Sequence, residues 1–313
     1  MPDIVFMGTP EFAVPSMAYL LKAGIHISLL VCQPDRKKGR GQKVQFPPTK
    51  QFALDHHIEV FQPVSVRTPD VIQKLKEKQP AFCVVIAYGK ILPKEILAVP
   101  EKGCLNVHAS LLPQWRGAAP IQFALLNGDE QTGVCTMLID EGMDSGDILL
   151  SRTTPIDADE CADTLSERLS LMGAELIVET IQRFDKIQPL RQEHDQATYA
   201  RLLKKEDRRI CWDENAPAVY NRFRALSPSP GVFTEFRGQR LMIKSMRLST
   251  DQTLPEKPGT ITAISPAGVT VVCSKGAVSI LTCQPENKKP VSAGDWINGY
   301  QVKNGELLGG KAL

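Results

Sequence analysis

The chain contains no Cys-x-x-Cys pair and no paired Cys/His spacing. Its eight cysteines, Cys32, Cys83, Cys104, Cys135, Cys161, Cys211, Cys273 and Cys283, are scattered along 313 residues. That pattern speaks against a disulfide scaffold or a zinc site and predicts reduced thiols in the cytosol. Long apolar runs are also missing. The short run Ile4 to Met7 has no basic flank and is broken by Gly8-Thr9-Pro10, so neither a signal peptide nor a membrane span is expected, and the expected location is cytoplasmic. The first apolar run is followed by Gly8-Thr9-Pro10-Glu11-Phe12 instead of G-x-G-x-x-G. The tight phosphate turn of a dinucleotide site is absent, which argues against a nicotinamide or flavin cofactor. A G-x-x-x-x-G-K-[ST] run is lacking too, which counts against nucleotide hydrolysis, and no internal repeat is evident.

What is present is ordinary in bulk and uneven in detail. Hydrophobic residues make up 42% and charged residues 23%, enough for a sizeable core, and the length favours two domains. The formal net charge of +2 hides an asymmetry: residues 208–313 carry 14 Lys and Arg against 8 Asp and Glu, leaving 23 against 27 for the rest. A basic second domain fits a polyanion, although a basic soluble domain without such a partner fits equally.

The first half alternates short β-type runs with amphipathic stretches. Strands are expected at Ile4 to Met7, Ile27 to Cys32, Glu59 to Phe61, Phe82 to Ala87, Cys104 to His108 and Val134 to Ile139. Helices are expected at Val14 to Ala23, Pro47 to His56, Pro69 to Lys78, Ala119 to Leu126 and Asp163 to Arg183. This alternation predicts an open α/β sheet of Rossmann type, with ligands at the carboxyl ends of its strands. Pro189 to Arg209 is polar and reads as a linker. Beyond it come a helix, Ala216 to Leu226, and short strands at Val232 to Phe236, Arg240 to Leu248, Gly259 to Ile264, Val269 to Cys273, Val278 to Cys283 and Gly299 to Val302. Gly and Pro punctuation between them points to a small OB-like β-barrel. The expected division is 1–189, a linker at 190–208, and 209–313.

In Asn106-Val107-His108-Ala109-Ser110-Leu111-Leu112-Pro113 an amide and an imidazole leave the same face of an extended segment. Asn is a neutral donor for a developing oxyanion, and His titrates near working pH. A strand end with two ordinary polar residues has the same spacing. The stiff loop Ser110 to Pro120 displays Trp115 and Arg116 and suits a flat heterocycle, or it is a packed βα connection. Asp140-Glu141-Gly142-Met143-Asp144-Ser145-Gly146-Asp147 can fold back so that one acid meets His108 and orients it. An Asp/Gly-rich turn is also simply a turn. The stretch Pro34 to Lys43 carries the cations Arg36, Lys37, Lys38, Arg40 and Lys43 with two glycines. Beyond a strand's carboxyl end it reads as a phosphate-contacting loop.

Taken together, Asn106-x-His108-x-Ser110-Leu111-Leu112-Pro113, Trp115-Arg116-Gly117-Ala118-Ala119-Pro120 and Asp144-Ser145-Gly146-Asp147 resemble the formyltransferases that use 10-formyltetrahydrofolate. The opening Met7 to Pro15 and the run Leu226-Ser227-Pro228-Ser229-Pro230-Gly231 resemble the branch that formylates methionyl-tRNA. The resemblance covers essentially the whole chain. Gln114 and Leu202 depart from it, standing where basic residues are common. It implies a Rossmann-like formyltransferase domain followed by an OB-like domain, and formyl transfer from 10-formyltetrahydrofolate to the methionine α-amino group of the initiator tRNA. In that family Asn106 would stabilise the oxyanion, His108 would assist proton transfer and Asp144 would tune His108. Ser110, Leu111, Leu112 and Pro113 would line the folate site, and the loop around Arg40 would meet the acceptor stem. Arg208, Arg209, Arg222, Arg224, Arg237, Arg240, Lys244 and Arg247 are read as a surface that tracks phosphates of the tRNA body. No metal is implied, and a monomer is expected. A formyltransferase for a small amine, a hydrolase of the formyl-folate and an RNA-binding module on a silent α/β scaffold remain as alternatives. The basic loop and basic second domain weigh against the first.

Overall fold

The computed structural model describes residues 2–38, 43–250 and 256–309. The chain folds as two compact units. One comprises Met1–Pro120, Gln131–Pro155 and Ser166–Arg201, and the other Ile121–Glu130, Ile156–Leu165 and Leu202–Leu313.

The first unit contains β1 (Asp3–Gly8), α1 (Val14–Lys22), β2 (His26–Val31), the short pair β3 (Arg36–Lys38) and β4 (Lys43–Gln45), α2 (Pro48–Asp55), β5 (Val60–Phe61), α3 (Pro69–Glu77), β6 (Phe82–Ile86), α4 (Lys94–Leu97), β7 (Cys104–His108) and β8 (Arg116–Gly117). After α5 (Pro120–Asn127), which groups mainly with the other unit, come β9 (Gln131–Leu138), β10 (Ile148–Pro155), α6 (Ala162–Arg183) and β11 (Tyr199–Ala200). Seven strands form one sheet in the order β10-β9-β7-β6-β1-β2-β5. Strands β7 to β5 in that order run parallel, β9 runs antiparallel to both of its neighbours, β7 and β10, and β10 therefore points the same way as β7.

Strands buried on both faces read as unbroken apolar runs, and β6 is buried along its whole length. Side chains alternate between faces. Ile4 and Phe6 pack with Met17, Leu20 and Ala53 and with Ile177 and Ile181 of α6. Val5 and Met7 pack on the other face with Val71, Leu75 and Ile96.

The second unit carries α7 (Ala216–Leu226), β12 (Val232–Phe236), β13 (Gln239–Leu248), β14 (Ile261–Ser265), β15 (Gly268–Val272), β16 (Ala277–Pro285), β17 (Val291–Ser292) and α8 (Ala293–Tyr300). Its sheet is antiparallel, β12-β13-β16-β15-β14, with β17 on β16. Isolated bridges join Leu308 to Phe236 of β12 and Leu307 to Thr260, just before β14, so residues 307–308 span the gap between the two outer strands of the OB-like domain. The Trp212 indole donates to Thr234 Oγ1 at 3.0 Å, and Trp296 meets Phe236 edge-on at 5.2 Å.

Beyond the short elements α4, β8, β11 and β17, three segments differ from the sequence expectation. Ile148–Pro155 is a full strand whose exposure alternates from Leu150 on; its outward Ser151, Thr153 and Pro155 mask it as a loop. Residues 299–302 are not a strand: α8 runs through Tyr300, started by Ser292, whose hydroxyl accepts from Asp295 N, and ended by Gln301 in the left-handed region. The basic segment 34–46 is framed by β3 and β4, paired in the register Arg36↔Gln45.

Candidate active site

The carboxyl end of β7 supplies Asn106 and His108, and the register Asn106↔Met137 and His108↔Cys135 sets that end against β9. From Leu138 the chain loops out and returns as β10. Gly146 is required in that return, because a Cβ there would run into the Leu138 carbonyl. The loop brings Asp144 back over β7 with φ +49°, an unusual conformation for a residue with a side chain.

Asp144 is the hub. Its Oδ2 accepts from the Gly117 amide at 2.8 Å and lies 3.7 Å from His108 Nδ1. Its Oδ1 accepts from Asn106 Nδ2 at 3.5 Å. The His108 ring, 5% exposed, contacts the Trp115 carbonyl through Nε2 at 2.9 Å. A carbonyl only accepts, so Nε2 carries a proton and Nδ1 is the nitrogen left to exchange one, facing the carboxylate. Of the amide protons on Asn106, one reaches Asp144 and the second is available to an oxygen arriving at the strand end. The arrangement sets an imidazole nitrogen, a carboxylate and an amide donor beside one another, groups of the kind used to pass a proton while stabilising an oxyanion.

The Ser110 to Pro120 loop builds the wall. Ser110 is fully buried and its hydroxyl donates to Gln114 O at 2.5 Å, so it shapes the loop instead of displaying a hydroxyl. Leu112 is buried with Cys135, Met137 and Ile148, while Leu111 and Pro113 are half-buried. Arg116 is not displayed: it is 3% exposed, and its Nε and Nη2 donate to Gln192 Oε1 at 3.0 and 2.7 Å. Gly117, at φ +114°, brings the chain against Ala200, where a Cβ would stand 2.7 Å from the carbonyl oxygen. Backbone bonds lace this wall to residues 198–200: Arg116 N to Thr198 O at 2.9 Å and Ala118 N to Ala200 O at 2.8 Å. Burial pushes the nearby Cys135 thiol up to about 11, which leaves it inert as a nucleophile.

The basic residues are placed separately. Arg36 is exposed on β3. Lys37, Lys38 and Lys43 lie in the β3 and β4 backbones, and Arg40 lies outside the described residues. The base of this segment is pinned: Lys50 Nζ reaches Asp35 at 2.7 Å and Gln62 Oε1 at 2.8 Å, and hydrogen bonds from Lys50 and Gln62 hold the Asp35 carboxyl below its ordinary range. In the second unit Arg208 donates to Gly231 O at 2.9 Å and Pro230 O at 2.5 Å. Burial and the neighbouring Arg240 charge lower its proton affinity. Arg209 lies 3.3 Å from Glu235. Arg240, Lys244 and Arg247 are exposed. Arg222 and Arg237 are paired with Glu214 and Glu306, and Arg224 is buried on the Asp157 and Glu160 carbonyls, so these three are spent on the protein itself.

Sequence comparison gives the family of the chain. A family model described as formyl transferase matches residues 3–181, and one described as formyl transferase, C-terminal domain, matches 202–301. A methionyl-tRNA formyltransferase of Geotalea daltonii is 43% identical over 310 residues, covering 98% of each chain. The chain belongs to the methionyl-tRNA formyltransferase family. Another member, from Citrifermentans bemidjiense, is 45% identical over 310 residues, covering 98% of this chain and 96% of its own. Among solved structures, an N-formyltransferase of Helicobacter canadensis in complex with folinic acid and dTDP-3-aminofucose shares the fold, with a TM-score of 0.67 at 18% identity over 90% of this chain and 99% of its own.

Residue types alone do not announce the Gly117 amide or the Trp115 carbonyl, since both are backbone groups. Gln192 is also absent from the sequence reading, and Arg116 enters it only as a residue displayed on the loop, not as the buried partner of Gln192. The one signal was Arg116 itself, a cation inside an otherwise apolar and small-residue loop.

Proposed function

We propose that this chain transfers the formyl group of 10-formyltetrahydrofolate to the α-amino group of methionine on initiator methionyl-tRNA, supporting translation initiation, and that it acts as a monomer in the cytoplasm. The observation that carries the chemistry is the convergence of Asn106, His108 and Asp144 at one strand end. The acceptor follows from family membership over nearly the full length.

Transfer forms a bond from the methionine nitrogen to the formyl carbon, breaks the bond from that carbon to the folate nitrogen, and moves one amine proton to the departing nitrogen. His108 Nδ1 takes the proton and passes it on. Asp144 holds the imidazole in place while that happens, and Asn106 donates to the formyl oxygen as negative charge builds on it. Leu111 and Pro113 offer apolar surface to the folate ring, with Ser110 and Leu112 holding the loop in shape behind them. Residues 1–189 carry the reacting side chains, 190–208 brace the site wall and lead onward, and 209–313 bind the tRNA body. Arg36, Lys37, Lys38, Arg40 and Lys43 meet the acceptor end, and Arg208 and Arg209 meet backbone phosphates.

The test offers formylated folate together with charged initiator tRNA, charged elongator tRNA and small amines in parallel. Preferred formylation of the initiator is expected, and preferred formylation of a small amine overturns the reading. Asn106→Ala should lower turnover by about 100- to 1,000-fold, and near wild-type turnover removes Asn106 from its role.

A further inference from the structure

We propose that Gln192, anchored by Arg116, is a positioning residue that holds Asp144 in its working conformation; this rests on the catalytic role given to Asp144 above. Gln192 is 4% exposed and fully committed. Its Nε2 donates to Asp144 O at 2.9 Å and to Gly146 O at 2.7 Å. Its Oε1 accepts both contacts from Arg116. Arginine has donors only, so the oxygen of the amide must face Arg116 and its NH2 must face the two carbonyls. The side chain has one orientation, and each of its hydrogen-bonding positions is filled.

What it grips matters. Asp144 sits at φ +49°, a conformation that persists only where the surroundings enforce it. Gln192 takes hold of the carbonyl of this residue, while the Gly117 amide takes hold of its carboxylate. Arg116 immediately precedes Gly117 in β8, so Gln192 ties the Asp144 loop to the strand that receives the carboxylate. Arg116 is itself steadied by His194 Nδ1, 3.2 Å from Nη2, and by its own amide on Thr198 O.

Gln192→Glu tests this role. It keeps the size of the side chain and its bond to Arg116, but turns carboxylate oxygens on the two loop carbonyls. Misplacement of a reacting group by about 1 Å costs up to about 100-fold, so kcat should fall about 10- to 100-fold with KM for folate and tRNA within about 3-fold. In an Asp144→Ala background the same substitution should cost less than about 3-fold, since the two act as a unit. Wild-type kcat in Gln192→Glu, or its full cost repeated in the Asp144→Ala background, overturns the proposal. Gln192→Met, uncharged and of similar length, should lower kcat in the same direction in the same assays, and wild-type kcat there overturns the proposal equally.

Amide hydrogen exchange by NMR reads the clamp without turnover. In Gln192→Glu the Gly117 amide should exchange at least about 10-fold faster, as its acceptor is released, while the Arg116 amide on Thr198 O keeps its rate. An unchanged Gly117 amide, or equal acceleration of both, overturns the proposal. Failure to formylate methionyl-tRNA would refute the proposed function and leave this exchange result to decide the clamp separately.

Discussion

The two units use polar residues in opposite ways. At the end of β7 the first unit buries them and fixes them on one another: His108, Arg116 and Gln192 are almost inaccessible, and the Asp144 carboxylate is met by three separate partners. The second unit leaves Arg209, Arg240, Lys244 and Arg247 on its surface, with Arg240 stacked 4.1 Å from the Phe233 ring. The difference teaches what each task demands. A proton passed between defined atoms tolerates one geometry and needs groups shielded from water. Binding a phosphate backbone needs charge at roughly the right places and tolerates long, mobile side chains. Substitutions among the buried polar groups at the end of β7 should therefore act on kcat, and those among the exposed cations of the second unit on tRNA affinity and its salt dependence.

The comparison is tested most severely by His108→Ala, which should lower kcat by about 100- to 10,000-fold with little change in tRNA KM; a change confined to KM would break the distinction. A smaller effect is expected from Arg208→Ala combined with Arg240→Ala: unchanged kcat, a several-fold rise in tRNA KM, and a flatter dependence of binding on salt by about one unit of slope for each phosphate no longer neutralised. A loss of kcat with the salt slope intact would place these two arginines with the catalytic groups. The smallest effect is on stability. Burial raises the proton affinity of Glu306, but hydrogen bonds from Arg237 and the Lys303 amide outweigh it and hold the carboxyl below its ordinary range. The depressed value means that its contribution is present above the usual glutamate range and is lost as pH falls through the lowered value. Wild type should exceed Arg237→Ala in unfolding free energy by no more than about 1 kcal/mol at neutral pH, and the gap should close in acid.

Most of the architecture was legible because buried parallel strands announce themselves as apolar runs, as Phe82–Ile86 does, and because helices such as Ala216–Leu226 keep a cap and a periodic face. The edge strand Ile148–Pro155 escaped because every second residue from Ser151 on faces water. In the site, Asn106, His108 and Asp144 were readable as residue types whose chemistry fits together. The groups that orient them were not: a carbonyl at Trp115 and an amide at Gly117 exist at every position of any chain, and only the fold selects them. Gln192 was hidden differently, in a polar stretch where each residue looks like solvent-facing spacer.

That stretch is tied at both ends. Leu190 exchanges two backbone bonds with Ile148, each 2.8 Å, and Tyr199 and Ala200 are paired with Arg116 and Gly117. Gln192 stands two residues past the Leu190 anchor, so one amino acid inserted or deleted between Leu190 and Gln192 would carry Gln192 out of register with the Asp144 loop. Tolerance to length variation should begin only past Ala200, where the chain passes from the first unit to the second.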